Sequence, residues 1–365
     1  MPKRKKMSKK ARIEGLRAYR IRAIRLLFLM VILVGLVGII EYRVQAITTV
    51  DNLTLNYQTD PTGVESDGEL VFGWRLNSVH RGAVQNTYCI NVYEGSERGP
   101  LVWTSGVVKS RECGLIRESY LGLEKEKKYV WNVTVEPSEG WKVTSAPATF
   151  ITDTDFAEAG WIIPEQGGRN EGAPLLRTEQ KLKNKRIEGA YLYVSAMGVY
   201  NAYVNGEKVL GPNGTEYLMA PGWTDYNSYV NYQTYDVTDM IGGRFRGGDV
   251  VIGIELGNGW YAGEIGRLAN YGPVFGHDNA VNELGAIARL MIRYADGTTQ
   301  VVTTDEDNWY SSTDSPTRSN DLYSGEIYDG VVVERAKGWN EPDYEMVFEN
   351  EDDGIVIYKR NPEQD

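Results

Sequence analysis

The sequence predicts an all-β protein, built as two tandem antiparallel β-sandwiches behind an N-terminal apolar helix. Three observations lead there. Short segments rich in aromatic and β-branched residues recur from Ile47 onward, with Gly, Pro, Ser and Asn between them. Asn205-Gly206 and Asp296-Gly297 each separate two such segments, as hairpin turns do. No segment from Ile47 to Thr152, and none after Tyr344, sustains a 3.6-residue apolar period.

Residues 1–25 hold 11 of the 39 Lys and Arg residues and one acid, Glu14. The remainder carries 28 basic and 49 acidic residues, a charge of about −21. A body so acidic repels phosphate, which excludes nucleic acid as its partner. The basic head precedes "LLFLMVILVGLVGII", Leu26 to Ile40, 15 residues without a polar side chain. A helix of that length spans about 22 Å, short of a ~30 Å hydrocarbon core. Counting back to Ile21 gives a full span over residues 21–41, provided Arg22 and Arg25 reach the headgroups. Residues 1–25 then form a cytoplasmic head that can touch anionic lipid, and 26–46 an uncleaved membrane anchor. The alternative is a secretory signal cut after Ala46, in "VQA". Either reading puts residues 47–365 outside the cytoplasm, membrane-anchored in the first case and secreted in the second.

Residues 47–152 read as the first sandwich. "LVFGWRL", "NTYCINVYEG", "LVWTSGVV" and "KYVWNVTVE" are its clearest strands, with Trp74 and Trp131 expected in the core. Cys89 and Cys113 are the only cysteines and form a candidate disulfide outside the cytoplasm. Asn52 and Asn132 begin glycosylation-type triplets, a pattern common by chance. His80 and His277 are the only histidines, nearly 200 residues apart. With no HExxH, CxxC or Cys/His cluster, neither a His-based metal site nor a Ser-His-Asp triad is supported.

An acidic, Gly- and Pro-containing stretch after Asp153 marks a boundary, and 153–345 reads as a larger, jelly-roll-like sandwich. Its strands include "GAYLYVSAMGVYNAYVNGEKVL", "GGDVVIGIEL" and "ARLMIRYADGTTQVVTTD". In the last, Ala288, Leu290, Ile292 and Tyr294 alternate with Arg289 and Arg293, which predicts a sheet with one wet face.

"LGNGWYAG", Leu256 to Gly263, formally fits a dinucleotide fingerprint, but no βαβ unit surrounds it, and Gly and Pro interrupt the stretch after it. The better reading is a loop that displays Trp260 and Tyr261 beside Asn258. "APGWTDY" has the same composition in Trp223, Asp225 and Tyr226, and "YGPVFGHDN" adds Asp278 and Asn279. Aromatic faces under sugar C–H groups, with amides and carboxylates for hydroxyls, make a carbohydrate site. Packing of the two tryptophans against the rest of the polypeptide explains the same residues. Asp/Asn groups of this kind also hold Ca²⁺, although no EF-hand spacing is present.

"APGWTDYNSYVNYQTYDVTDMI", "LGNGWYAGEIG", "IRYADGTTQVVTTDEDNW" and "YSGEIYD" resemble, in that order, the N-terminal β-sandwich module of bacterial α-L-rhamnosidases, glycoside hydrolase family 78. The preceding region is similar to the fibronectin-type-III-like domain that often comes before it. The resemblance covers about 300 of 365 residues. It implies that acid and base carboxylates lie in an (α/α)₆ barrel after these modules, so no catalytic residue is carried over to this chain. Residues 346–365 are expected to be a truncated tail without helical length, and the chain alone to be inactive. Related modules bind rhamnose through Ca²⁺, which would fall to Asp225, Asn258 or Asp278-Asn279. Two functions are open: the non-catalytic front of an extracytoplasmic rhamnosidase, contributing substrate recognition or support to the barrel, or a complete membrane-tethered protein that binds rhamnose-containing glycans. A third, catalysis by this chain, needs a carboxylate pair that the sequence does not single out.

Overall fold

A computed structural model describes residues 9–45, 48–164, 172–241, 248–263, 283–344 and 357–360; for 9–16, Ala18, 38–45, Arg335 and 357–360 it gives backbone only. The chain is built of antiparallel sheets, as the alternating strands require.

In the first sandwich, strands Thr48–Leu55, Leu70–Ser78 and Ile116–Glu118 form one sheet. Gln85–Glu94 and Lys128–Pro137 lead the other, flanked by Leu101–Thr104, Val108–Lys109, Val143–Thr144 and Ala148–Ile151. Trp131 is buried at 1% exposure and meets Phe72 edge-on, ring centres 4.9 Å apart. Trp74 packs edge-on to Tyr88 and donates its indole N–H to Gln85 Oε1 at 2.9 Å, so both expected core tryptophans are core. Burying an indole in this way leaves no orphaned donor.

The cysteines are both free, which corrects the candidate disulfide. On Gln85–Glu94 the side chains of Tyr88, Ile90 and Val92 point inward, whereas Cys89 points to the other face, toward Asn91 and Thr104. Cys113 lies on the core side, its thiol donating to Gln85 Oε1 at 3.5 Å. Alternation along its strand turns Cys89 away from the core, while the loop before Ile116 sets Cys113 against it.

The second sandwich stacks two sheets. One runs Gln233–Asp236, Ile187–Met197, Gly285–Tyr294, Trp161–Pro164, Ile357–Arg360, with Thr299–Thr303 beside Gly285–Tyr294. The other runs Glu207–Lys208, Val199–Val204, Asp249–Gly257, Leu175–Lys181, Tyr310–Ser312. Leu192, Val194, Ile252, Ile254, Leu290 and Ile292 fill the space between them at 0% exposure. The Asn205-Gly206 turn has positive φ at both residues (49° and 85°) and closes Val204 on Glu207, as a two-residue hairpin demands. The tail, expected to lack helical length, contributes a strand: Ile357–Arg360 pairs antiparallel with Trp161–Pro164. Nearly 200 residues separate the partners, so no local pattern announces the pairing.

The expected wet face is not wet. Arg289 is 7% exposed and clasps Glu126 of the first sandwich, Nε to Oε1 at 2.5 Å and Nη2 to Oε2 at 3.2 Å. Thr154 donates to the same carboxylate at 2.6 Å, and Arg293 Nε donates to the Glu126 carbonyl at 3.2 Å. Tyr193, fully buried, donates to the Thr152 carbonyl at 3.0 Å, within a cluster of Ile151, Tyr191, Phe156 and Tyr232. The polar alternation is real; the first sandwich covers the face on which it falls.

Lys9–Gln45 is one helix of 37 residues. Its side chains from Leu26 to Val37 are exposed on all sides, Phe28 at 66% and Val34 at 71%. Among the described residues, however, no helix is long and apolar enough to cross a membrane, so the expected anchor is not supported there. Arg17, Arg20, Arg22 and Arg25 interrupt the apolar run on its N-terminal side, and the side chains beyond Val37 lie outside the described residues.

Candidate aromatic corner

Strand Asp249–Gly257 ends in a sharp turn. Gly259 sits at φ 52°, where a Cβ would come within 2.5 Å of Val199, so the turn needs glycine. One helical turn, Gly259–Ala262, comes next, closed by Ala262 N–H donating to the Asn258 carbonyl at 3.0 Å. Asn258 is buried at 7% and pins the turn to a neighbouring hairpin, Thr317–Asp321 with Gly325–Tyr328. Its backbone N–H donates to Asn320 Oδ1 at 2.7 Å and its Nδ2 to the Asn320 carbonyl at 2.6 Å.

The second loop, Ala220 to Tyr229, is braced from within. Thr224 Oγ1 donates to the Tyr229 carbonyl at 2.8 Å, and Gln233 Nε2 to the Pro221 carbonyl at 3.2 Å. Asp225 accepts Asn227 N–H at 3.2 Å and Ser228 Oγ at 2.8 Å, so its exposed carboxylate shapes the loop it belongs to.

These two loops bring the two sequence-selected tryptophans together. Trp223 and Trp260 lie parallel, 6° between planes and 6.0 Å between centres. Trp223 is 57% exposed, while Trp260 is half-buried against the core. Tyr226 and Tyr261 also meet, 5.1 Å apart, but at 7% and 6% exposure they belong to the core. Burial pushes the Tyr226 hydroxyl up to about 12. Behind them the Tyr200 hydroxyl lies within 3.2 Å of two acceptors, the Val194 carbonyl and Gln233 Oε1, and shares a bond with the Tyr235 hydroxyl, and burial holds its hydroxyl well above the usual range. Sequence reasoning missed Asn320, whose side chain is local to a different hairpin and carries no motif.

Asp278 and Asn279 lie outside the described residues, as does His277. Among the described residues no group of three His, Cys, Asp or Glu side chains is placed to hold a metal ion. What the corner offers chemically is a parallel, partly exposed aromatic pair on rigid turns, with a buried amide behind it. Exposed rings of this kind are costly to leave in water and suit an apolar sugar face.

The family description "Alpha-L-rhamnosidase N-terminal domain" matches residues 185–351, and "Rha78A-like, N-terminal immunoglobulin domain" matches 50–154. An α-L-rhamnosidase of Streptomyces avermitilis is 32% identical over 308 residues, covering 78% of this chain and 25% of that protein. One from Alteromonas sp. is 29% identical, covering 75% and 30%. Among solved structures, the α-L-rhamnosidase of Dictyoglumus thermophilum superposes with a TM-score of 0.66 at 27% identity, over 86% of this chain and 34% of that one. The Aspergillus terreus enzyme gives 0.70 at 22% identity, over 86% and 34%, a likeness of fold. The chain thus spans about a quarter to a third of the length of the curated relatives it matches.

Proposed function

Residues 50–154 and 185–351 of this chain match the N-terminal modules of the α-L-rhamnosidases of glycoside hydrolase family 78, and from that premise we propose that they form the non-catalytic recognition and support portion of an extracytoplasmic rhamnosidase-like glycoside hydrolase. The observation that carries the reading is the Trp223–Trp260 pair. Its 57%-exposed ring is held on braced turns, the arrangement a rhamnose-containing glycoside needs for its C–H face. Hydrolysis with inversion requires two carboxylates about 6.5–9.5 Å apart across the bond. The described elements are sheets and three α-helices, one of them the N-terminal Lys9–Gln45 and the others of four and seven residues.

Titration of the full chain with L-rhamnose, with and without Ca²⁺, tests the reading through tryptophan fluorescence. Saturable quenching that disappears in Trp260→Ala is expected. Quenching unchanged in that variant removes the corner as the site, and release of rhamnose from an aryl rhamnoside by this chain removes the non-catalytic assignment.

A second reading, a membrane-tethered carbohydrate-binding protein, is favoured by the helix surface from Leu26 to Val37, apolar on every side and uncovered by the rest of the described chain. Insertion of residues 21–41, with Arg22 and Arg25 at the headgroups, would cover it. Carbonate-resistant membrane recovery, with residues 48–344 cleaved by external protease, is the outcome that distinguishes it from a secreted form cut after Ala46.

A further inference from the structure

Beside the seam, the two sandwiches leave a cleft of about 260 Å³. The Asp60–Thr62 turn and strand Ala148–Ile151 form its wall in the first sandwich. Leu210 to Asn213 and the end of Gln233–Asp236 form it in the second. None of these residues belongs to the aromatic corner.

Three polar groups here keep bonding capacity beyond their partners within the fold, while Asp236 has both oxygens in use, by Lys128 and Thr238. Asp60 uses Oδ1 alone to accept the N–H and hydroxyl of Thr149, at 2.6 and 3.2 Å, so Oδ2 is unspent. Lys128 Nζ has one partner, Asp236 Oδ2 at 3.0 Å, for three donors. Thr62 donates to the Thr234 carbonyl at 2.9 Å and keeps its lone pairs. The Asn213 side chain makes no hydrogen bond among the described residues. Nearby, on the strand face that carries Asp236, Thr234 Oγ1 is buried with no partner. Leu210, 45% exposed, adds an apolar flank.

The chemistry selects the ligand. Two carboxylates against one ammonium make the cleft net negative, which disfavours phosphate or a carboxylate ligand. Its volume lies just under the ~300–1,000 Å³ of typical ligand pockets, enough for one ring. Acceptor, donors and an apolar flank at a module junction match vicinal hydroxyls on a small ring. We infer that this inter-module cleft binds a single neutral monosaccharide, whose hydroxyls donate to Asp60 Oδ2 and accept from Lys128 and Asn213. The site is separate from the Trp223–Trp260 corner and stands whether or not that corner binds rhamnose.

Saturation-transfer NMR of the full chain with L-rhamnose, D-galactose and D-glucose tests it, performed in Trp260→Ala to silence the aromatic corner. At least one sugar is expected to bind, and its affinity to fall at least about tenfold in Asp60→Asn, which keeps an acceptor for Thr149 while losing the charged one. Leu210→Arg alters only an exposed side chain and sets a guanidinium against Asp60, so it should block the same sugar at an unchanged unfolding midpoint. Loss in either variant with the midpoint unchanged supports the site. Absence of any sugar signal in Trp260→Ala, binding retained in both cleft variants, or binding of inorganic phosphate in place of sugar overturns it.

Discussion

The second sandwich turns two very different surfaces outward from its core. At the seam, Arg289, Tyr191 and Tyr193 project from alternate positions of two paired strands, and the first sandwich covers them. Two of the buried polar groups there are answered across the seam: Arg289 by Glu126 and the Ala157 carbonyl, Tyr193 by the Thr152 carbonyl. At the aromatic corner, positive-φ glycines at 222 and 259 and an internally braced loop hold Trp223 more than half in water. A buried, satisfied network raises cohesion between modules. A rigid turn that exposes an indole gains little from burial, and that difference is what the proposed carbohydrate role rests on.

The sharpest test of that contrast is to unpair the seam. Glu126→Ala should cost about 3–5 kcal/mol in denaturant unfolding of the whole chain, because it strands a buried guanidinium. Glu126→Leu combined with Arg289→Met should cost far less. Equal losses in both variants would mean that packing, and not pairing, joins the modules.

Alkali should act on the same side. Desolvation raises the seam hydroxyls of Tyr191 and Tyr193 well beyond their ordinary value of 10, and in the inner core pushes Tyr235 up to about 12. For groups whose proton is held more tightly in the folded state, the contribution is whole below about pH 10. It is lost as pH rises toward the folded values. The thermal midpoint should therefore fall steadily above pH 10, and the fall should flatten in Tyr193→Phe.

A smaller effect is expected where the corner is tied down. Asn258→Ala removes the bond to the Asn320 carbonyl and should cost about 1–2 kcal/mol. It should also speed proteolytic nicking of the Leu322–Ser324 turn, read by mass spectrometry. Smallest of all, Trp223→Ala should change stability by about 1 kcal/mol or less, the scale of one exposed aromatic pair, while abolishing the L-rhamnose fluorescence response. A Trp223→Ala protein that unfolds several kcal/mol earlier would make the corner a packing element like the seam.

Particular residues show where the sequence is readable. Asn205-Gly206 demanded a two-residue turn because few other residues accept positive φ twice in succession, and the chain turns there. Leu290, Ile292 and Tyr294 alternate with arginines, which fixed a strand and its inward face. The same arginines misled, since period-two polarity marks a face that is not in this core, and only the docked first sandwich shows that it is not in water either. Cys89 and Cys113 could be paired on paper, but strand alternation turns Cys89 outward while a loop holds Cys113 against the core. Trp223 and Trp260 were selected for their turns, yet 37 residues separate them and their parallel stacking depends on two loops meeting at one end of a sandwich.

By itself the sequence determined the strands, the tight turns, the charge division and the likeness to rhamnosidase N-terminal modules, since these rest on local backbone preference and on side-chain order. The tertiary structure alone decided which polar face is sealed by Glu126, which edge Ile357–Arg360 joins, and which two indoles share a corner. Those outcomes depend on contacts between residues far apart in the chain, where burial and pairing energies arise only once the whole fold has brought them together.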